Sequence, residues 1–249
     1  MSLSPKVRTT LTLGLGLLVM AVAFSVRSRS LTENLSSDSS DAVSSSWRQE
    51  QLRKSALSQP YLSAIAQAQT SLEVEDYETA VENFSRAISL YGSTARGYHG
   101  RAIARLQLGD YEGAIADFSQ ALDFDPNDVR TYTNRSQAYE AIGEIESALR
   151  DYNRAITLNP EYPEAYFSRA SLYFQLRDYD AALDDLNETL LLQPESARAF
   201  YNRAMVYLEL DRLERAIADL ETAEALFRKQ DDFASSEYTL NTLKRLNGR

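Results

Sequence analysis

From residue 61 onward, small and bulky residues return at a fixed interval of thirty-four positions. Ala68, Ala102, Ser136, Ala170 and Ala204 keep that interval, as do Ala80, Ala114, Ala148, Ala182 and Ala216. A bulky series, Phe84, Phe118, Tyr152, Leu186 and Leu220, keeps the same spacing, and so does Ala87, Ala121, Ala155, Thr189 and Ala223. Pro126, Pro160 and Pro194 close three of the intervals. A period of this length marks a stack of supersecondary units. In the interval 95–128, Tyr98, Ala102 and Leu106 share one helical face, and Gly109-Asp110 ends that helix. Tyr111, Ala114, Phe118 and Ala121 form the stripe of a second helix, which Asp125-Pro126-Asn127 stops. Small residues at 102 and 114 let the two helices approach closely. One such pair cannot bury its own stripe, so the pairs are expected to stack into a continuous core.

Ahead of the periodic region the pattern changes twice. Thr9 to Val26 is an uncharged, largely apolar run, with Lys6 and Arg8 before it and Arg27 and Arg29 after it. As a helix it would be about 27 Å long, enough for a bilayer core. Residues 1–26 therefore read as a signal anchor or, with Ala21-Val22-Ala23 as a small-x-small site, a signal peptide cleaved near Ala23. The charge bias favours an inside amino terminus and a repeat domain outside the cytoplasm, membrane-anchored if the segment is retained and secreted, periplasmic or lumenal if it is cleaved. Residues 27–60 read as a Ser-rich flexible linker: serine makes up nearly half of Arg27–Ser46, and Trp47, Leu52 and Leu57 mark a helix start.

The recurring aromatic, small, small, aromatic, small and proline positions resemble the tetratricopeptide repeat family, over Tyr61 to about Arg228. The resemblance implies an all-α fold, a right-handed superhelical solenoid of antiparallel helix pairs whose first helices line a concave groove. It divides the chain into five units, 61–94, 95–128, 129–162, 163–196 and 197–228. Gly92 and Arg228 stand where the first and fifth units should have proline, and Ala64 replaces the early aromatic of the first. Phe233, Leu240, Leu243 and Leu246 predict a capping helix within 229–249.

A second periodic pair is charged. Arg101, Arg135, Arg169 and Arg203 are followed, at a constant offset of sixteen positions, by Asp117, Asp151, Asp185 and Asp219. In the first unit both places are neutral, Gln67 and Asn83. Charges at packed positions need partners, so each pair is expected to form an ion pair between helices. The competing reading is an arginine ladder open to anionic ligands.

Composition narrows the function. A net charge of -10 repels phosphate and argues against nucleic acid, and the absence of cysteine removes disulfides, thiolate metal sites and cysteine nucleophiles. His99 is the one histidine, with no serine or carboxylate at a telling spacing, and no glycine-rich phosphate loop occurs. No enzyme activity, cofactor or metal is expected. By the resemblance, the groove is lined by Arg96, His99, Ile103, Arg130, Thr133, Asn134 and Gln137 in its first half. In its second half it is lined by Phe167, Ser171, Phe174, Tyr201, Asn202, Met205 and Leu208, with Arg198 and Glu164 at the edge. Phe167 and Phe174 packed against neighbouring helices is the alternative. Ile65 and Gln69, or His99 and Ile103, stand where some family members carry a lysine–asparagine clamp for chaperone C-termini, so that partner is not expected. The reading is an interaction scaffold that holds a protein or linear peptide near a membrane contacted through residues 9–26, in the assembly of a complex. The alternative is a module that forms homo-oligomers through its stacking surfaces.

Overall fold

The computed structural model describes residues 58–91 and 94–247, all within one compact unit, Arg48–Arg249. The apolar segment 9–26 and the serine-rich stretch lie outside the described residues. The expected linker ends sooner than residue 60, because 58–60 are already helical. Among the described residues there are only helices: α1 (58–73), α2 (Tyr77–Tyr91), α3 (Ala95–Gln107), α4 (Tyr111–Phe124), α5 (Val129–Ala141) and α6 (Ile145–Leu158). They continue as α7 (Pro163–Gln175), α8 (Tyr179–Leu192), α9 (Ala197–Glu209), α10 (Leu213–Lys229) and α11 (Phe233–Asn247). None is long and apolar enough to cross a membrane.

The helices pack as consecutive antiparallel pairs, each on the next, as in a solenoid. The turn inside each pair has a left-handed residue, at Glu75, Gly109, Gly143, Arg177 and Asp211, which repeats at the interval of the core residues. Asp110, Asp128, Asp178, Thr94 and Ser196 cap the following helices by accepting a backbone N–H. Between the helices of each pair the alanines at 102, 114, 148, 182, 204 and 216 are fully covered, and Phe84, Phe118, Tyr152, Leu186 and Leu220 fill the space beside them. Phe84 reaches α3 because Gly100 has no side chain; a Cβ there would lie 2.2 Å from the ring. Tyr152 is the one filler with a hydroxyl, which donates to Glu140. Burial holds the Glu140 carboxyl above its usual range, against the effect of that bond.

All four expected Arg–Asp pairs form, and each is bidentate. Arg101 Nε and Nη2 reach Asp117 at 2.8 and 2.7 Å, and Arg135 reaches Asp151 at 2.7 and 2.9 Å. Arg169 meets Asp185 at 2.8 and 2.7 Å, and Arg203 meets Asp219 at 2.7 and 2.9 Å. The third guanidinium nitrogen donates backwards into the preceding pair, to Ser85, Ser119, Asn153 and Asn187. Rings one turn before (Tyr98, Tyr132, Tyr166, Phe200) and one turn after (Tyr139, Tyr173, Tyr207) lie 5.4–5.9 Å from these guanidinium carbons. Each ladder arginine thus joins two stacked pairs, with all three of its guanidinium nitrogens hydrogen-bonded. The ladder arginines are mostly covered, with side chains 17–19% exposed, so the geometry favours the ion-pair reading over an open arginine ladder.

Candidate binding groove

Consecutive first helices touch one another directly, α3 with α5, α5 with α7 and α7 with α9. That places them at the short inner radius of the stack, with their free faces turned into the concave side. At the α3–α5 and α7–α9 junctions the second residue of the later helix stands near the fifth residue of the one before. Arg130 acts electrostatically on His99, and Arg198 lies 5.1 Å over the Phe167 ring.

In the first half, His99 is half-buried, edge-on to Phe118 at 5.7 Å. The Thr131 hydroxyl donates to Asp128 Oδ2 at 2.6 Å, so its oxygen accepts from His99 Nδ1–H at 2.5 Å. This fixes the tautomer and leaves Nε2 unprotonated. Burial pushes His99 below its ordinary value of 6.5; the Asp128 carboxylate opposes that and Arg130 adds to it. Asp128 is itself desolvated, yet the Thr131 hydroxyl, His99 and the Arg130 amide hold its carboxyl below the usual range. Neither Thr131 nor Asp128 was expected here; the signal is an Asp-x-x-Thr capping sequence facing the one histidine. Thr133 is buried with its hydroxyl on Val129 O, and so does not line the groove as expected. Ile103 is half-buried against the α3–α4 core. Arg96, Arg130 and Gln137 are exposed.

In the second half the same faces leave a cavity of about 210 Å³ between α7 and α9. Ser171, Phe174, Gln175, Asn202 and Met205 form its walls, over Ala170, Leu186 and Val206. Phe174 stands against Tyr179 at 5.8 Å, which fixes one wall. Asn202 makes no hydrogen bond within the described residues and lines this largely apolar space. Tyr201 lies elsewhere: α11 covers it, with Tyr238 at 6.1 Å, and burial together with the Tyr238 hydroxyl pushes its phenol up to about 12. Leu208 packs on the same end. Arg198 is exposed, and Phe167 below it is half-buried and packed against the core between the last repeats. Gln175, Val206, Leu186 and Ala170 were not anticipated, since the periodic core pattern hides which of its members stay reachable. Among the described residues no cluster of His, Asp or Glu could hold a metal.

The geometry agrees with comparison to known proteins. A family model described as TPR repeat matches residues 103–143 and 137–177, and one described as tetratricopeptide repeat matches 169–232, together more than half of the chain. The chain belongs to the tetratricopeptide repeat family. No curated protein matches it. Among solved structures it is similar to TTC0263, a thermophilic TPR protein of Thermus thermophilus, with TM-score 0.62 and 22% identity over 72% of this chain and 98% of that one. MamA from Desulfovibrio magneticus RS-1 gives TM-score 0.61 and 18% identity over 70% and 98%. YrrB, described as a TPR protein with an unusual peptide-binding site, gives 0.54 and 23% over 72% and 90%. At these identities the likeness speaks for the solenoid alone.

Proposed function

We propose that this protein is a five-repeat scaffold that holds a partner protein near a membrane by seating an extended segment of it in the concave groove. The family's fold is one of protein–protein interaction, and the observation that carries the reading is the α7–α9 cavity. At about 210 Å³ it exceeds the ~150 Å³ that accommodates benzene and falls short of the usual small-molecule pocket. It suits one Leu, Met or Phe side chain, with the Asn202 amide placed to hydrogen-bond the backbone beside it. The first repeat is α1–α2, and residues 9–26 tether the domain outside the cytoplasm, where it serves complex assembly.

The test is a photocrosslinker at Gln175, which is exposed on the cavity wall, in the full chain in its native membranes. Crosslinks to a distinct protein that vanish when Ser171→Ile fills the cavity are expected. Crosslinks to other copies of the chain alone, or insensitive to the filling, would replace this reading with self-assembly. Because the chain has no cysteine, a single Gln107→Cys reports the side of the membrane: labelling of intact cells by an impermeant maleimide is expected.

A further inference from the structure

Resting on the groove reading, we infer that the ligand is an extended peptide carrying an acidic residue about six positions from its apolar anchor. The rim of the groove is the row formed by the second residue of each first helix: Arg96, Arg130, Glu164 and Arg198, all exposed. In a chain of net charge -10, two adjacent arginines at the concave edge form a local cationic patch. Arg130 keeps only a loose 3.6 Å contact with Asp128, a carboxylate already engaged by Thr131 and by its own capping bond. Its charge is open to a ligand. Glu164, between Arg130 and Arg198, disfavours an acid next to the anchor and confines it to the α3–α5 end.

Spacing follows from the helices. Neighbouring packed helices lie about 10 Å apart, so the α3–α5 edge is two spacings, about 20 Å, from the α7–α9 cavity. An extended chain advances about 3.3 Å per residue, which makes the separation about six residues. Asn134 and Asn202 occupy equivalent positions two repeats apart, one near each end of this path, and neither makes a hydrogen bond within the described residues. Both amides are available to the peptide backbone.

A random dodecapeptide display library selected against the full chain in detergent micelles tests this. Enriched peptides should share a large apolar residue with Asp or Glu five to seven positions away. Selection on Arg130→Ala should retain the apolar residue and lose the acid. By fluorescence anisotropy the best peptide should bind that variant about tenfold more weakly, and Arg130→Lys should restore much of the loss. Peptides with the anchor but no acid, or an acid at another spacing, overturn the inference and leave the groove reading standing. Enrichment indifferent to Ser171→Ile removes the groove reading and the inference together.

Discussion

The α3–α5 and α7–α9 halves of the groove share one backbone design and differ in what it presents. Equivalent positions two repeats apart exchange His99 for Phe167, Ile103 for Ser171, Leu106 for Phe174 and Gln137 for Met205. Ile103 packs down on its core, whereas the small Ser171 leaves the opening that Phe174 and Met205 frame. Repetition therefore builds the scaffold, and a few departures from it make the site. The same arginine–aspartate ladder runs beneath both halves, so disturbing it should disturb them equally. That is the largest expected effect. Asp185→Ala leaves Arg169 without its bidentate partner, its side chain only 17% exposed, at a cost on the order of 3 kcal/mol in urea unfolding. Asp117→Ala should cost at least as much, because it takes a partner from Arg105 as well as the bidentate partner from Arg101. Replacing the pair with apolar residues, Arg169→Met with Asp185→Leu, should recover most of the loss. Equal damage from Asp185→Ala and from the double variant would show that the ladder's worth is not the avoided cost of an unpaired charge.

Exchanging the residues that distinguish the halves comes next. Ile103→Ser removes half-buried apolar contacts and should destabilise by about 1–2 kcal/mol while opening a space beside Gln137. Ser171→Ile should leave stability within about 1 kcal/mol and abolish binding of an apolar anchor. If Ser171→Ile unfolded the protein while Ile103→Ser was silent, the view that residue size at this one position sets the opening would fail.

What could be read from the chain follows the same division. The repeat period, the helix pairs and the ladder partners were legible because each recurs at a constant offset, and repetition separates a signal from chance. The ladder's backward partners Ser85, Ser119, Asn153 and Asn187 are repeated too, but change midway from serine to asparagine, and their shared hydrogen-bonding role shows only beside the arginine. The cavity was not legible as a cavity. It arises from Ser171 being smaller than Ile103 at an equivalent place, a difference of volume on a face whose exposure the sequence leaves open. Thr133 was misplaced for a related reason: a hydroxyl bonded to its own helix at Val129 O can sit in the core. Tyr201 stands at a groove position in the repeat pattern, but α11, which follows α10 as one more first helix, covers it.

A subtler contrast is in proton binding. His99 is titratable and Phe167, its counterpart, is not. A base whose folded value lies below its unfolded one binds more protons when unfolded, so it destabilises the fold as pH drops below the ordinary 6.5. Just below pH 6.5 the urea midpoint of the wild type should fall with decreasing pH, and His99→Gln should flatten that slope. Glu140, held above its usual range, works in the opposite sense at lower pH, which is why the window must stay close to the ordinary histidine value. Anchor binding between α7 and α9 should not change across it. An unchanged slope in His99→Gln would mean that the ring keeps its solution affinity for protons despite its burial.

The smallest effect lies in the turns that join each pair. Gly109 and Arg177 hold equivalent left-handed positions, at φ 79° and 60°. Glycine enters that region without a steric penalty, while a residue with a Cβ is strained there by about 1 kcal/mol. Arg177→Gly should therefore stabilise the α7–α8 turn, but glycine also loses more backbone freedom on folding, so the net gain should be only about 0.5 kcal/mol. The reciprocal change, Gly109→Arg, should cost a similar amount, since nothing lies within 4 Å of where its Cβ would be and backbone strain is the only obstacle. Paired unfolding curves of the two variants would show opposite shifts of similar size. Shifts in the same direction would mean that the turns, unlike the helices they connect, are not interchangeable between the two halves.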